Sequence, residues 1–185
     1  MNSPLRFPAR YAHLVARLRV PGGFLLAIAF GWLARPSALS METGLPVAAA
    51  GLLLRAWAAG HLEKNTRLAT TGPYAWVRNP LYLGTLLTAI GLVAASRRLL
   101  LAVLFALVFA LVYLPAIQLE EEYLRELFPD FGEYAQRVRA LRPRRPGAPQ
   151  PARFRMDLYM RNEEYQALLG FLAGAAWLAV KLIWL

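Results

Sequence analysis

The sequence predicts an all-α, polytopic transmembrane helix bundle with about five spans. Three observations carry that prediction. Of the 185 residues, 58% are hydrophobic, against roughly 45–50% in an ordinary soluble domain. Several apolar runs approach the roughly 17–25 residues that a helix needs to cross a hydrocarbon core. Lysine and arginine outnumber aspartate and glutamate by 21 to 11, and the excess falls in alternate connections between the runs, as the positive-inside rule requires.

The runs follow in order. Val20–Ala34 is short and is preceded by Arg6, Arg10, Arg17 and Arg19. Those flanks also fit a secretory signal, but no small-residue cleavage site closes the run and further spans follow it. Gly44–Gly60 carries Arg55 and forms a helical hairpin with the first run, with Pro36–Thr43 as its turn. Pro80–Ser96 and Leu99–Leu119 are uninterrupted, and Ala167–Leu185 contains one charge, Lys181, which can snorkel to an interface. With the N-terminus inside, the cytoplasmic segments hold most of the arginines, and the outer side keeps Arg35, Arg97 and Arg98. Residues 1–185 therefore read as a single multi-pass membrane domain whose two chemistry-bearing segments, His61–Asn79 and Glu120–Glu164, face the cytoplasm.

Composition removes several function classes. The chain has no cysteine, which excludes disulfides, thiolate metal sites and a cysteine nucleophile. Two histidines, His13 and His61, do not make a histidine metal cluster, and no metal site is expected. The basic residues are broken up by apolar runs and no nucleic-acid motif appears, so nucleic acid is not an expected partner. Gly170 and Gly174 permit close helix packing and leave the oligomeric state open.

Two constellations carry chemistry. In TTGPYAWVRNPLYLG, Thr71-Gly72-Pro73 is a turn, Asn79 an N-cap and Pro80 a first helical residue. Backbone N–H groups at that helix start attract an anion, and Arg78 beside them can grip a carboxylate bidentately. Tyr74, Trp76 and Tyr82 offer aromatic faces to an adenine or a cation; an ordinary interfacial belt of Arg, Trp and Tyr reads equally well. The second constellation is Glu120-Glu121-Glu122, directly after an apolar run, where carboxylates at a helix C-terminus oppose the macrodipole. The placement implies a cationic partner, either a basic side chain or a ligand. Gln118 hints at a wet, inward side shared by Glu121. His61, Lys64 and Asn65 close the second run and are candidates for substrate contact, while Arg55 within that run must snorkel or pair, with Glu63 a possible partner.

GPYAWVRNPLYLG, followed after a helical hairpin by EEEYLRELFPDFGEYAQRVRALRPR, resembles the isoprenylcysteine carboxyl methyltransferase and phospholipid methyltransferase family of integral membrane enzymes. The resemblance covers about Leu62–Arg144. It implies an S-adenosyl-L-methionine pocket at the cytoplasmic end, built by Gly72, Pro73, Tyr74, Arg78, Asn79, Pro80, Tyr82, Gly84, Glu120 and Glu121, with Arg78 and Glu121 as the catalytic candidates. Asn79 stands where the best-known members have histidine and keeps hydrogen-bonding capacity without a titratable proton. The implied reaction is methyl transfer to a lipid-like or membrane-dissolved carboxylate, thiol or amine. A sulfonium methyl donor needs mainly an in-line nucleophile, and only an amine acceptor demands a base. The competing readings are an NADPH-dependent membrane reductase of the sterol-reductase type and a non-enzymatic scaffold.

Overall fold

The structure is a computed structural model that describes residues 7–144 and 153–184. PRRPGAPQPAR, residues 143–153, reads in sequence as a surface connector and lies mostly outside them. Among the described residues there is no strand, and the all-helical prediction holds.

Five helices stand where the apolar runs stand. They are α1 (Ala9–Leu33), α2 (Ala38–Ala59), α3 (Pro80–Ser96), a long fourth helix made of α4 (Leu99–Val108), a π turn (Phe109–Tyr113) and α5 (Leu114–Leu127), and the last long helix, α8 (Tyr165–Trp184). Between α5 and α8 come the short helices α6 (Phe131–Arg137) and α7 (Met156–Arg161). Among the described residues two helices are long and apolar enough to cross a membrane, Leu99–Leu127 with 29 residues and Tyr165–Trp184 with 20. Val20–Leu33 and Pro80–Ser96 are shorter apolar helices.

Three boundaries differ from expectation. The first hairpin turn is shorter than Pro36–Thr43, because Ser37 and Ser40 form a reciprocal capping box that starts α2 at Ala38. The fourth helix continues to Leu127, with Pro129 two residues beyond its end. Glu120–Glu122 therefore lie inside a helix, and the argument from an opposed macrodipole does not apply to them. FRMDLYMRNEEYQ, residues 154–166, reads in sequence as an amphipathic helix along the interface, but the helix formed is only the six residues of α7. It stops because Asn162 donates to the carbonyls of Ala59 and Leu62, and Glu163 turns left-handed at φ 57.

The closest packing is between α2 and α3. Gly44, Ala48 and Gly51 recur on one face of α2, and Gly84, Thr88, Gly91 and Ala95 on the facing side of α3. A Cβ added at Gly44, Gly51 or Gly91 would lie within 3.0 Å of the opposite backbone. This is the small-residue contact by which membrane helices bring their backbones together. Gly84 also makes room for a side chain. A Cβ there would strike Arg55 Cγ, so the glycine opens the channel along which Arg55 passes.

At one end of the bundle the Arg35 N–H donates to the Ser96 carbonyl at 2.9 Å, and Lys181 Nζ caps the carbonyls of Trp32 and Ala34 at 2.8 and 2.9 Å. Lys181 thus ends on the C-terminus of α1, the favourable end of a helix dipole for a cation. The candidate site lies at the other end.

The π turn meets a proline. Pro115 has no N–H to give the Leu111 carbonyl, and the Tyr11 hydroxyl donates to that carbonyl at 2.8 Å. Gln118 joins the same contact between α1 and the fourth helix, pairing with both backbone groups of Phe7.

Candidate functional site

The segment ahead of α3 is shaped by its glycine and prolines. Gly72 adopts φ 59, and a Cβ on it would sit within 3.0 Å of the His61 ring. Two separate demands thus require glycine there. Pro73 opens a 3₁₀ turn over Gly72–Ala75 that buries Tyr74. Residues 76–79 then run beside 139–144. Arg78 N–H donates to the Arg139 carbonyl at 2.9 Å, Asn79 N–H to Ala140 at 3.0 Å, and Arg144 N–H to Trp76 at 2.9 Å. The backbone donors of Arg78 and Asn79, which the sequence offered to an anion, are taken by the chain itself.

Arg78 lies at the centre of this arrangement. Its Nε and Nη2 each stand 3.0 Å from one oxygen of Glu121, and Nη1 reaches the carbonyls of Ala135 and Val138 at 2.6 and 2.7 Å. Asn79 begins α3 as expected, but its side chain makes no cap. Its Nδ2 donates instead to Glu121 Oε1 at 2.9 Å. Of the two adjacent glutamates, Glu121 is the one that anchors a basic side chain. Glu120 accepts from the Tyr82 hydroxyl at 2.8 Å and is more exposed than its neighbour. Gln118 does not share Glu121's side, since it bonds Phe7 and Glu122.

These groups border a cavity of about 960 Å³. Tyr74, Arg78, Asn79, Pro80, Tyr82, Glu120 and Glu121 all line it, and so do Lys64 and Asn65. Gly72, Pro73, Gly84 and His61 do not. Gly84 faces α2, and His61 packs beneath Gly72 with Nδ1 2.8 Å from the Trp57 carbonyl. Because a carbonyl only accepts, that contact places the imidazole proton on Nδ1.

Among the wall residues that sequence reasoning missed are Tyr113, Tyr134, Thr85 and Glu164. Arg55 enters the cavity through the Gly84 gap and pairs with Glu164 and Thr85. The alternative partner Glu63 holds Arg155 instead, at 2.6 Å. Burial was the signal that could not be read, since Glu164 is 6% exposed and looks in sequence like one member of a polar pair.

Tyr74 is 6% exposed, and its hydroxyl has no hydrogen-bond partner among the described residues. Burial, reinforced by Glu120, Tyr134 and Glu164, pushes its acidity well below that of a free phenol, with Arg55 opposing. Tyr134 is shifted the same way, mainly by burial, and donates to the Tyr74 carbonyl at 2.7 Å. Both remain protonated donors at physiological pH.

This geometry fits a ligand with a positive centre and polar ends. Glu120 offers a carboxylate that no cation neutralises among the described residues, beside the rings of Tyr82 and Tyr113, which meet edge to face at 6.2 Å. Tyr74 offers a dry donor. Residues 48–130 match the phospholipid methyltransferase family. The matched segment holds the motif GPYAWVRNPLYLG and the glutamates Glu120 and Glu121, on which the resemblance to the isoprenylcysteine and phospholipid methyltransferase family rests.

Two curated relatives are similar over 92 residues. The cobalt-zinc-cadmium resistance protein CzcN of Cupriavidus metallidurans is 42% identical, over 49% of this chain and 43% of the relative. The nickel-cobalt-cadmium resistance protein NccN of Alcaligenes xylosoxydans xylosoxydans is 41% identical over the same shares. The matched region thus spans less than half the length of either relative. No solved structure matches the chain.

Proposed function

We propose that the chain is a five-span membrane enzyme that transfers a methyl group from S-adenosyl-L-methionine to a lipid-like or membrane-dissolved carboxylate, thiol or amine, with the cavity facing the cytoplasm. The observation that carries this reading is the cavity that the family-matched segment borders, where an unneutralised Glu120 and an unpartnered, buried Tyr74 hydroxyl line the same space. When bound, the cofactor supplies an electrophilic methyl on a sulfonium. The residues of the chain bind and orient. Glu120 and the faces of Tyr82 and Tyr113 favour the positive sulfur, and Tyr74 donates to a polar oxygen. The Arg78–Glu121 pair and Asn79 hold the wall in place, which is the part we assign to the two catalytic candidates.

Part of the cavity wall suits an acceptor with an apolar body. Val20, Phe24 and Ala27, on one face of α1, and Leu81 on α3 line it. Holding an apolar acceptor in line with the methyl group is itself a large share of the acceleration. Arg55, which bonds the Leu81 carbonyl, Thr85 and Glu164, adds polar groups near Leu81, and Lys64 and Asn65 also line the cavity.

The test is incubation of the purified protein in lipid nanodiscs with labelled S-adenosyl-L-methionine and a membrane lipid extract, followed by identification of the labelled product. Label in an apolar product is expected. Folded protein that is stabilised against heat by NADPH and not by S-adenosylhomocysteine, with no label transferred, would overturn the reading in favour of a reductase.

A further inference from the structure

A second cavity of about 180 Å³ lies beside the first, on the other side of the loop that follows α2. The two share Glu63, Arg67, Leu68 and Ala69 as a common wall. The far wall of the second cavity is the segment entering α7, which is fastened to the end of α2. Arg155 N–H donates to the Gly60 carbonyl at 3.0 Å, and the Phe154 ring lies so close over Gly60 that a Cβ has no room. Asn162 adds its two bonds to Ala59 and Leu62.

The charges are unevenly used. Arg155 is neutralised by Glu63 and Asp157, each at 2.6 Å. Arg67 and Arg153, which also line the cavity, have no carboxylate partner among the described residues. Thr70 and Thr71 line it as well. Immediately outside, Phe154, Met156 and Met160 are 44%, 61% and 51% exposed. Met156 and Met160 are one helical turn apart, so they share a face of α7. Two unpaired guanidinium groups over a polar hollow, with adjoining exposed apolar side chains, complement a phosphate that carries acyl chains.

We propose that this cavity binds the headgroup phosphate of an anionic phospholipid, held by Arg67 and Arg153, with the acyl chains lying against Met156 and Met160. The site is distinct from the methyl-transfer cavity and does not depend on that reaction. Its occupancy steadies the loop wall that both cavities share.

The test is native mass spectrometry of the full chain in detergent with phosphatidylglycerol or phosphatidylcholine of identical chains. One phosphatidylglycerol per chain is expected to be retained in preference to phosphatidylcholine. Arg67→Gln with Arg153→Gln should lower that preference about thirtyfold, given the usual contribution of a basic residue at an anionic surface. Arg67→Lys with Arg153→Lys should keep most of it. Arg142→Gln with Arg144→Gln, which removes the same charge away from the cavity, should leave it unchanged. If the paired glutamine variant does not fold, Arg153→Gln alone carries the test, with a loss of about fivefold. Equal retention of the two lipids, an unchanged preference in the cavity variants, or an equal loss in the control pair overturns the proposal. Inorganic phosphate that raises the thermal midpoint as much as phosphatidylglycerol does at equal concentration would assign the cavity to a soluble anion instead.

Discussion

The guanidinium of Arg78 and the carboxylate of Glu121 meet fork to fork, with both N···O distances at 3.0 Å. The remaining Arg78 nitrogen holds α6 and the residue after it by the carbonyls of Ala135 and Val138. One side chain therefore joins the start of α3, the middle of the fourth helix and the segment that closes the cavity.

Arg78→Lys keeps the charge and loses the fork. We expect a stability loss of about 2 kcal/mol, the scale of a charge-assisted hydrogen bond, together with weaker binding of S-adenosylhomocysteine. Thermal unfolding in detergent and titration calorimetry measure the two. An unchanged unfolding midpoint would show that the fork adds nothing a lysine cannot supply.

The two glutamates should separate by phenotype. Glu121→Gln is expected to lower the unfolding midpoint, because it weakens the contacts to Arg78 and Asn79. Glu120→Gln should leave the midpoint near that of the parent and reduce affinity for the sulfonium cofactor about tenfold or more. The neutral S-adenosylhomocysteine should be affected less. Equal losses for the cationic and neutral ligands would remove the electrostatic role assigned to Glu120.

Tyr74→Phe deletes a hydroxyl that is buried without a partner among the described residues. An unmet buried donor costs about 1–3 kcal/mol, so the ligand-free variant should be at least as stable as the parent. Its stabilisation by cofactor should be smaller. A variant that unfolds earlier while keeping the full ligand-induced shift would show that the hydroxyl serves the fold.

The turn before α3 and its start at Asn79-Pro80 were legible because turn formers and helix-start residues act over a few positions. The glutamates were legible as unusual, but the reason given for them failed, since the helix runs on to Leu127. The partner of Arg55 was not legible. Glu164 lies 109 positions away, and the contact depends on the missing side chain at Gly84 and on α8 beginning just after Glu164. Gln118 misled because its amide serves the backbone of Phe7, a contact that only the approach of α1 creates.

Membrane sidedness has a direct test in a chain without cysteine. Single cysteines replacing Arg67 and Arg142 should resist an impermeant thiol reagent applied to intact cells, while one replacing Arg35 should react. Arg35 is exposed and lies at the end opposite the cavity, whereas Ser40 on the same side is buried and bonded to the Ala95 carbonyl. Reaction at the first two positions and protection of Arg35 would invert the topology.

The wide turn at Phe109–Tyr113 sets the angular phase of everything after it. If that turn tightened to an ordinary α-helix at constant chain length, the downstream residues would rotate by about 100° and advance about 1.5 Å. That rotation equals the angle between Glu120 and Glu121, so the partner of Arg78 would change identity without any change in sequence. A one-residue deletion inside the turn has the opposite character. It removes the surplus residue and leaves both flanks in register, so the pairing of Arg78 with Glu121 survives. The same deletion between Leu99 and Val108 has no such slack and must shift one flank against the other. The turn is thus the place in this helix where chain length can vary while the site keeps its aim.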